Sequence, residues 1–295
     1  LLISFYSHTF FYNLIVHSID KHGITATWLK RQEKARSRLM AECKKMKNKQ
    51  NGNTTSIPQN ILVDEKNRIV FCSIPKNACS SWKYFFIQRN NASAILGKSP
   101  LNGTGKVPFV HSKDTLLSSN LRPFRNFNIK EREHIQRNYP KFLVSRHPLA
   151  RLVSAYRDKL EHHGPVNNFM RILLPLLGKS INSKSSITFT EFVDYLLKPS
   201  SEKRDYRNNE HWRPYTDLCL PCYLNYSYVI RYENFNDDAD RVLHLLYNTS
   251  LKSLPHKNQQ QSGLLDEDYL SNLTKKQLQG LRERYYWDFH LFAYK

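Results

Sequence analysis

Acidic residues are scarce in this chain: 25 Asp and Glu stand against 45 Lys and Arg among 295 residues, leaving a net charge of +20. Such an imbalance points to a polyanionic partner, which by charge alone is a nucleic acid, an acidic membrane face or an acidic polysaccharide. No recognised nucleic-acid-binding motif accompanies the charge, which argues against the first. An uninterrupted apolar run of about 20 residues, the length of a membrane-crossing helix, is also missing. The nearest approach is Leu1–Val16, LLISFYSHTFFYNLIV, which is apolar and aromatic but broken by Ser4, Ser7, His8, Thr9 and Asn13. It reads as the end of a signal anchor, with a cleaved signal segment as the alternative. Cysteines number five, too few for a disulfide scaffold. Cys219 and Cys222 form CLPC, which suits a local disulfide, a redox pair or half a zinc site. A second CxxC or a His pair at ligand spacing is lacking, which disfavours zinc and leaves a structural bridge as the preferred reading. The G-x-x-x-x-G-K-[ST] stretch of ATP and GTP enzymes is absent too, which argues against a nucleotide kinase.

What is present begins with length enough for one domain of roughly 200–250 residues and an appendage. Asn-x-Ser/Thr sequons at Asn53, Asn91, Asn102, Asn225, Asn248 and Asn272 permit a secretory route. Residues 26–49 combine helix-forming composition with dense positive charge and read as a basic stem helix outside the main core. A polar linker with Gly52 and Pro58 as breakers follows. The expected organisation is therefore an anchor remnant over 1–16, stem and linker over 17–60, and a globular domain over 61–295.

Within that domain one pattern occurs three times: a short β-rich run ends in polar residues and a helical segment follows. RIVFCSIP (68–75) leads into CSSWKYFFIQRN, KFLVSR (141–146) into PLARLVSAYRDKLEHH, and YVIRYE (228–233) into DDADRVLHLLYN. This order predicts an α/β fold with a parallel central sheet flanked by crossover helices, and a ligand site beyond the carboxyl ends of its strands. Thr188 and Glu191 have the spacing of a capping box for a helix over 188–197, and residues 274–294 read as helical. The segment 92–135 mixes Gly, Pro and polar residues and reads as a long loop of the kind that carries binding function.

The first polar cluster, IPKNACSSWKYFF (74–86), places Lys76, Ser80 and Ser81 where a strand turns into a helix. Unpaired backbone N–H groups around Ala78–Ser81, with the two hydroxyls and the Lys76 ammonium, suit a phosphate; an ordinary capped helix with Trp82, Phe85 and Phe86 in the core is the plainer alternative. In the second cluster Arg146 ends a strand and Ser154 follows eight residues on, a bit over two helical turns. That pair suits a second phosphate, a guanidinium matching its oxygens. Two separate anion sites imply a ligand bearing two separated anions.

IPKNACSSWK followed by FLVSRHPLARLVSAYRDKL resembles the paired nucleotide motifs of the Golgi carbohydrate sulfotransferases, the group that includes chondroitin and dermatan 4-O-sulfotransferases. The similarity continues through EHWRPYTDLCLPCYLNYSYVIRYENFNDDADRVL to YYWDFHLFAY and covers roughly residues 61–295, with a stem cysteine near Cys43 also in character. The resemblance implies a P-loop-like nucleotide-binding sulfotransferase fold and a donor, 3′-phosphoadenosine 5′-phosphosulfate, with no metal. It assigns Lys76, Asn77, Ala78, Cys79, Ser80, Ser81, Trp82 and Lys83 to the 5′-phosphosulfate, and Arg146 and Ser154 to the 3′-phosphate. Lys76 is then the cation on the bridging oxygen, and a histidine is the expected base. His111, in the loop-like PFVHSKD, is preferred over His134 and His211. The implied acceptor is an acidic glycan, position 4 of GalNAc in chondroitin or dermatan. The implied setting is a single-pass type II Golgi membrane protein, anchored by its N-terminal segment, with the catalytic domain in the lumen. A different glycan acceptor, or a glycosaminoglycan-binding protein that keeps the fold without the activity, are the alternatives. The chain departs from the group at Ser81, Tyr84, His147, Ala150 and Ile230, which flank the two grips without removing Lys76, Arg146 or Ser154.

Overall fold

The computed structural model describes residues 24–47, 57–89, 120–161, 167–182, 184–199, 206–249 and 267–295. In chain order, the elements that position the site begin with helix α1 (Ala26–Lys47), strands β1 (Ile61–Asp64) and β2 (Ile69–Cys72), and helix α2 (Cys79–Arg89). Strand β3 (Leu121–Pro123), helix α3 (Ile129–Asn138), strand β4 (Lys141–Ser145) and helix α4 (Pro148–Tyr156) come next. Helices α5 (Asn168–Leu176), α6 (Phe189–Leu197) and α7 (Tyr215–Cys219) precede strand β5 (Tyr228–Arg231) and helix α8 (Phe235–Tyr247). Helices α9 (Lys275–Arg284) and α10 (Tyr286–Leu291) close the chain.

The strands form one sheet in the order β3-β1-β2-β4-β5. The three strand-to-helix units expected from the sequence supply β2, β4 and β5, which pair in parallel. The sheet is mixed, because β1 pairs antiparallel with both β2 and β3. Successive residues of a strand point to opposite faces, and both faces are covered, so β2 and β4 are buried along their whole length and are apolar except for Lys141 and Ser145 at the ends of β4. Ile69, Phe71, Phe142 and Val144 pack on Trp82, Phe85 and Phe86 of α2. Val70, Cys72 and Leu143 pack on Tyr215, Leu218 and Cys219 of α7. A third cluster joins α4, α5, α6 and α9. Two of these helices start on capping boxes: Thr188 with Glu191 as the spacing predicts, and Thr274 with Gln277.

Two expectations are corrected. The helix over 26–47 does not stand outside the core: Trp28, Gln32, Leu39 and Cys43 form a buried stripe along one side of it. The Gln32 side chain donates to the Val229 carbonyl (3.2 Å) and accepts from the Val229 N–H (3.0 Å), closing the open edge of β5. The CLPC cysteines do not bridge each other. Cys219 bonds Cys72 of β2, and Cys222 bonds Cys43 of α1. Leu220, left-handed at φ 45°, breaks the helix between them, so Cys219 faces the sheet and Cys222 faces α1. Cys79 is a free thiol. Among the described residues no helix is long and apolar enough to cross a membrane; Leu1–Val16 lies outside them.

Candidate functional site

The carboxyl ends of β2, β4 and β5 meet at one edge of the sheet, and the β2–α2 loop is the centre of that edge. Lys76 and Ala78 both hold left-handed backbone, at φ 72° and 59°, without being glycine. Conformations of this kind cost of order 1–3 kcal/mol each, persist only where the surroundings over-determine them, and cluster at ligand clamps. The surroundings here are explicit. Asn77 is buried, its side-chain amide donating to the Val144 carbonyl (2.7 Å) and to the Tyr215 hydroxyl (3.1 Å). The Arg146 Nη1 donates to the Lys76 carbonyl at 3.0 Å. The Arg151 Nε donates to the Pro75 carbonyl at 3.2 Å, while its Nη1 and Nη2 reach the carbonyls of Arg213 (2.7 Å) and Glu210 (2.8 Å). Two arginines from the β4–α4 unit thus fasten consecutive carbonyls of the β2–α2 loop.

The expected site residues divide accordingly. Lys76, Ala78, Cys79 and Lys83 are half-buried around the loop, Ser80 is exposed, and Ser81 is buried at the start of α2. Trp82 is corrected: it is fully enclosed among Phe71, Phe85, Phe86 and Phe142 and faces the core, with its backbone N–H given to Ala78. Arg146 lies beside the loop as expected, 2 % exposed, its guanidinium 4.5 Å over the Tyr232 ring. Burial pulls its pKa down while Tyr232, Tyr215 and Glu233 oppose that pull. Ser154 is half-buried on α4. His111 lies outside the described residues. His134 is exposed on α3, which leads into the opposite, amino-terminal end of β4. The His147 imidazole packs edge-on to Phe289 and Tyr294, with Nε2 3.1 Å from the Lys295 carbonyl.

Several residues of the site gave no signal in the sequence. After α4 the helix widens into a π-helical turn, Arg157–Glu161, a form frequent at functional sites. The turn holds Asp158 between two cations, 3.2 Å from Lys76 Nζ and 3.0 Å from Lys159 Nζ. Burial pushes the Asp158 carboxyl up, but the two lysines outweigh it and hold it below its ordinary range. The Lys159 ammonium lies 5.4 Å over the Phe169 ring, and His211 meets the same ring edge-on at 5.2 Å. Tyr215 joins the motifs from below: its hydroxyl donates to the Arg146 carbonyl (2.8 Å) and accepts from the Arg146 N–H (3.2 Å). Among the described residues no group of three His, Cys, Asp or Glu is placed to hold a metal ion.

Tyr215 is set in turn by Asp288 of α10, whose two carboxylate oxygens each accept from its backbone N–H at 2.9 Å. Complete burial pushes the Asp288 carboxyl up to about 7, against those hydrogen bonds and the Arg151 charge, with Asp217 adding to the rise. A raised pKa means that the folded chain holds this proton more tightly than the unfolded one. The stabilisation is therefore full below the ordinary carboxylate range, near pH 4, and is lost as pH rises through about 7. Urea titrations at pH 5 and pH 8 are expected to show the wild type losing stability over this interval, and Asp288→Asn losing less.

The β2–α2 loop, with two left-handed non-glycine residues and with Lys76, Lys159 and Arg146 beside it at the strand-end edge of an α/β sheet, is an arrangement that suits an anion. The sequence pattern of the sulfotransferase family matches residues 59–295, and the chain belongs to that family. It is 33 % identical over 248 residues to carbohydrate sulfotransferase 14 of Danio rerio, covering 80 % of this chain and 62 % of that one. It is 28 % identical over 251 residues to carbohydrate sulfotransferase 11 of the same species (82 % and 68 %), and 30 % identical over 252 residues to carbohydrate sulfotransferase 12 of Mus musculus (79 % and 59 %). The chain thus spans about 59 to 68 % of the length of these relatives. No solved structure matches it.

Proposed function

We propose that the chain transfers a sulfuryl group from 3′-phosphoadenosine 5′-phosphosulfate to a sugar hydroxyl of an acidic glycan, position 4 of GalNAc in chondroitin or dermatan being the favoured acceptor. The observation that carries this reading is the 3.0 Å bond between the Arg146 guanidinium and the Lys76 carbonyl, which sets the two motifs side by side. Lys76 and the amides of the loop hold the 5′-phosphosulfate, with the hydroxyls of Ser80 and Ser81; Arg146 and Ser154 hold the 3′-phosphate. The donor supplies an activated sulfuryl group. As it departs, negative charge grows on the bridging oxygen of the nucleotide, where the Lys76 ammonium gains more in the transition state than before it. A histidine, His111 or His211, takes the acceptor proton. The excess of basic residues raises the encounter rate with a polyanionic acceptor in a salt-sensitive way. The names of the relatives, all carbohydrate sulfotransferases, support a glycan acceptor. With them goes a lumenal Golgi setting in which the two disulfides persist, residues 1–16 serving as the anchor and 61–295 as the catalytic domain.

Incubation of the purified protein with sulfur-labelled donor and desulfated chondroitin, followed by disaccharide mapping, tests this. The expected product is a 4-sulfated GalNAc disaccharide. Binding of the glycan with no donor-dependent transfer would instead favour a glycan-binding protein of the same fold.

A further inference from the structure

Resting on the sulfotransferase reading, we infer that His211 is the base that takes the acceptor proton and that Asn209 is the residue that positions it. The Asn209 Oδ1 accepts from the His211 backbone N–H at 3.1 Å and lies 2.7 Å from the ring Nδ1. An oxygen already accepting one hydrogen bond can only accept a second, so Nδ1 carries the ring proton and Nε2 the lone pair. Nε2 has no hydrogen-bond partner among the described residues and is not one of their sealed polar atoms. This is the order of parts that a base requires: an orienting acceptor on one nitrogen and an open lone pair on the other.

The position of the ring relative to Lys76 is set through Arg151. One guanidinium, 1 % exposed, binds the carbonyl before Lys76 (Pro75) and the carbonyls on either side of His211 (Glu210 and Arg213). A rigid planar fork therefore spans from the sulfuryl-side loop to the turn that carries the imidazole. Phe169 completes the wall, with the His211 ring and the Lys159 ammonium both against it. Burial first, then the charges of Lys159, Arg151 and Lys76 against the opposing Asp158, pull the His211 pKa down to about 3, so the imidazole stays neutral. An anionic nucleotide held by Lys76 offsets those cations and raises the proton affinity of Nε2, so the base strengthens when the donor is bound.

In the step itself, the acceptor hydroxyl gives its proton to His211 Nε2 and its oxygen lone pair to sulfur. The bond from sulfur to the phosphate bridging oxygen breaks, and its electron pair leaves with adenosine 3′,5′-bisphosphate beside Lys76. The imidazolium returns its proton to water after the products leave.

The test joins kinetics, nucleotide binding and chemical rescue. His211→Ala is expected to lower kcat by at least about 100-fold, to bind adenosine 3′,5′-bisphosphate as the wild type does, and to regain part of its rate on addition of imidazole. Asn209→Ala, which frees the tautomer, is expected to lose roughly tenfold and to distort the pH–rate profile. Nitrogen-15 spectra of the wild type are expected to show the His211 pKa rising when the bisphosphate binds. His211→Ala turning over like the wild type, or losing rate together with nucleotide affinity and without imidazole rescue, would overturn the assignment. Failure of the wild type both to bind the nucleotide and to transfer sulfate would overturn the reading beneath it, and the assignment with it.

Discussion

The Lys76→Ala variant is expected to transfer sulfate about 10²- to 10³-fold more slowly than the wild type, the range found when one preorganised electrostatic group is removed from a reacting oxygen. The loss should fall on kcat, because the ammonium meets most of the departing charge in the transition state. Stability should hardly change. The Lys76 side chain is 23 % exposed, and Asp158 keeps Lys159 at 3.0 Å when Lys76 is gone. A melting temperature equal to the wild type beside a collapsed rate would separate the chemical role from a structural one. A variant that keeps most of its rate would show that the cation on the leaving oxygen lies elsewhere. Lys76→Arg should fall between, since a longer planar cation at the same left-handed position meets Asp158 differently.

A second large effect is expected at Arg151, this time on folding. Its guanidinium satisfies three carbonyls from two separate stretches of chain, and its plane lies 5.0 Å from the Tyr215 ring. Arg151→Met keeps most of the volume but leaves those carbonyls without their donor. The cost is expected to be about 3–5 kcal/mol, comparable to removing one partner of a buried charged interaction. In a domain of this size that is roughly a 10 °C fall in melting temperature. Nucleotide affinity should fall as well, because the strained Lys76–Ala78 backbone loses one of its two arginine braces. Differential scanning calorimetry and nucleotide titration read both effects. Arg151→Met melting with the wild type would show that the loop holds its shape without this brace.

The parallel half of the sheet was legible because each of its strands announces itself twice, by a β-branched or aromatic run and by the polar residues that follow. β2, β4 and β5 all have that signature. β1 and β3 do not. Ile61–Asp64 follows a polar linker, and Leu121–Pro123 is three residues long with a proline at its end; they are strands because they pair with each other across some 60 residues. In α1 the abundance of lysine and arginine hides a sparse set of five buried residues, one of them a glutamine whose value lies in capping the β5 edge. The C-terminal stretch is helical as read, but divided at Tyr285, which ends α9 and caps α10.

At the site the same distinction holds. Lys76 and Arg146 stand out as candidates because a cation at the carboxyl end of a strand is a local pattern. Arg151 sits five residues beyond Arg146 in a mostly apolar helix, and nothing local says that it turns inward to bind carbonyls 59, 62 and 76 residues away. Tyr215 resembles any core aromatic until its hydroxyl is seen between Asn77 and Arg146. Arg146 also proves to have a second task, holding the Lys76 carbonyl as well as facing the proposed phosphate. Asp158 and Lys159 are placed by a π-helical turn that no local residue pattern marks.

The two adjacent cationic grips, Lys76 and Arg146, should together bind one adenosine carrying separated anions. Calorimetric titration of the purified protein with adenosine 3′,5′-bisphosphate, set beside adenosine 5′-phosphate, tests it most directly. One molecule of the bisphosphate per chain should bind, with the 5′-phosphate weaker by at least about tenfold, the worth of one charge-assisted phosphate contact. Equal affinity for the two nucleotides, or no binding of either, would contradict the claim.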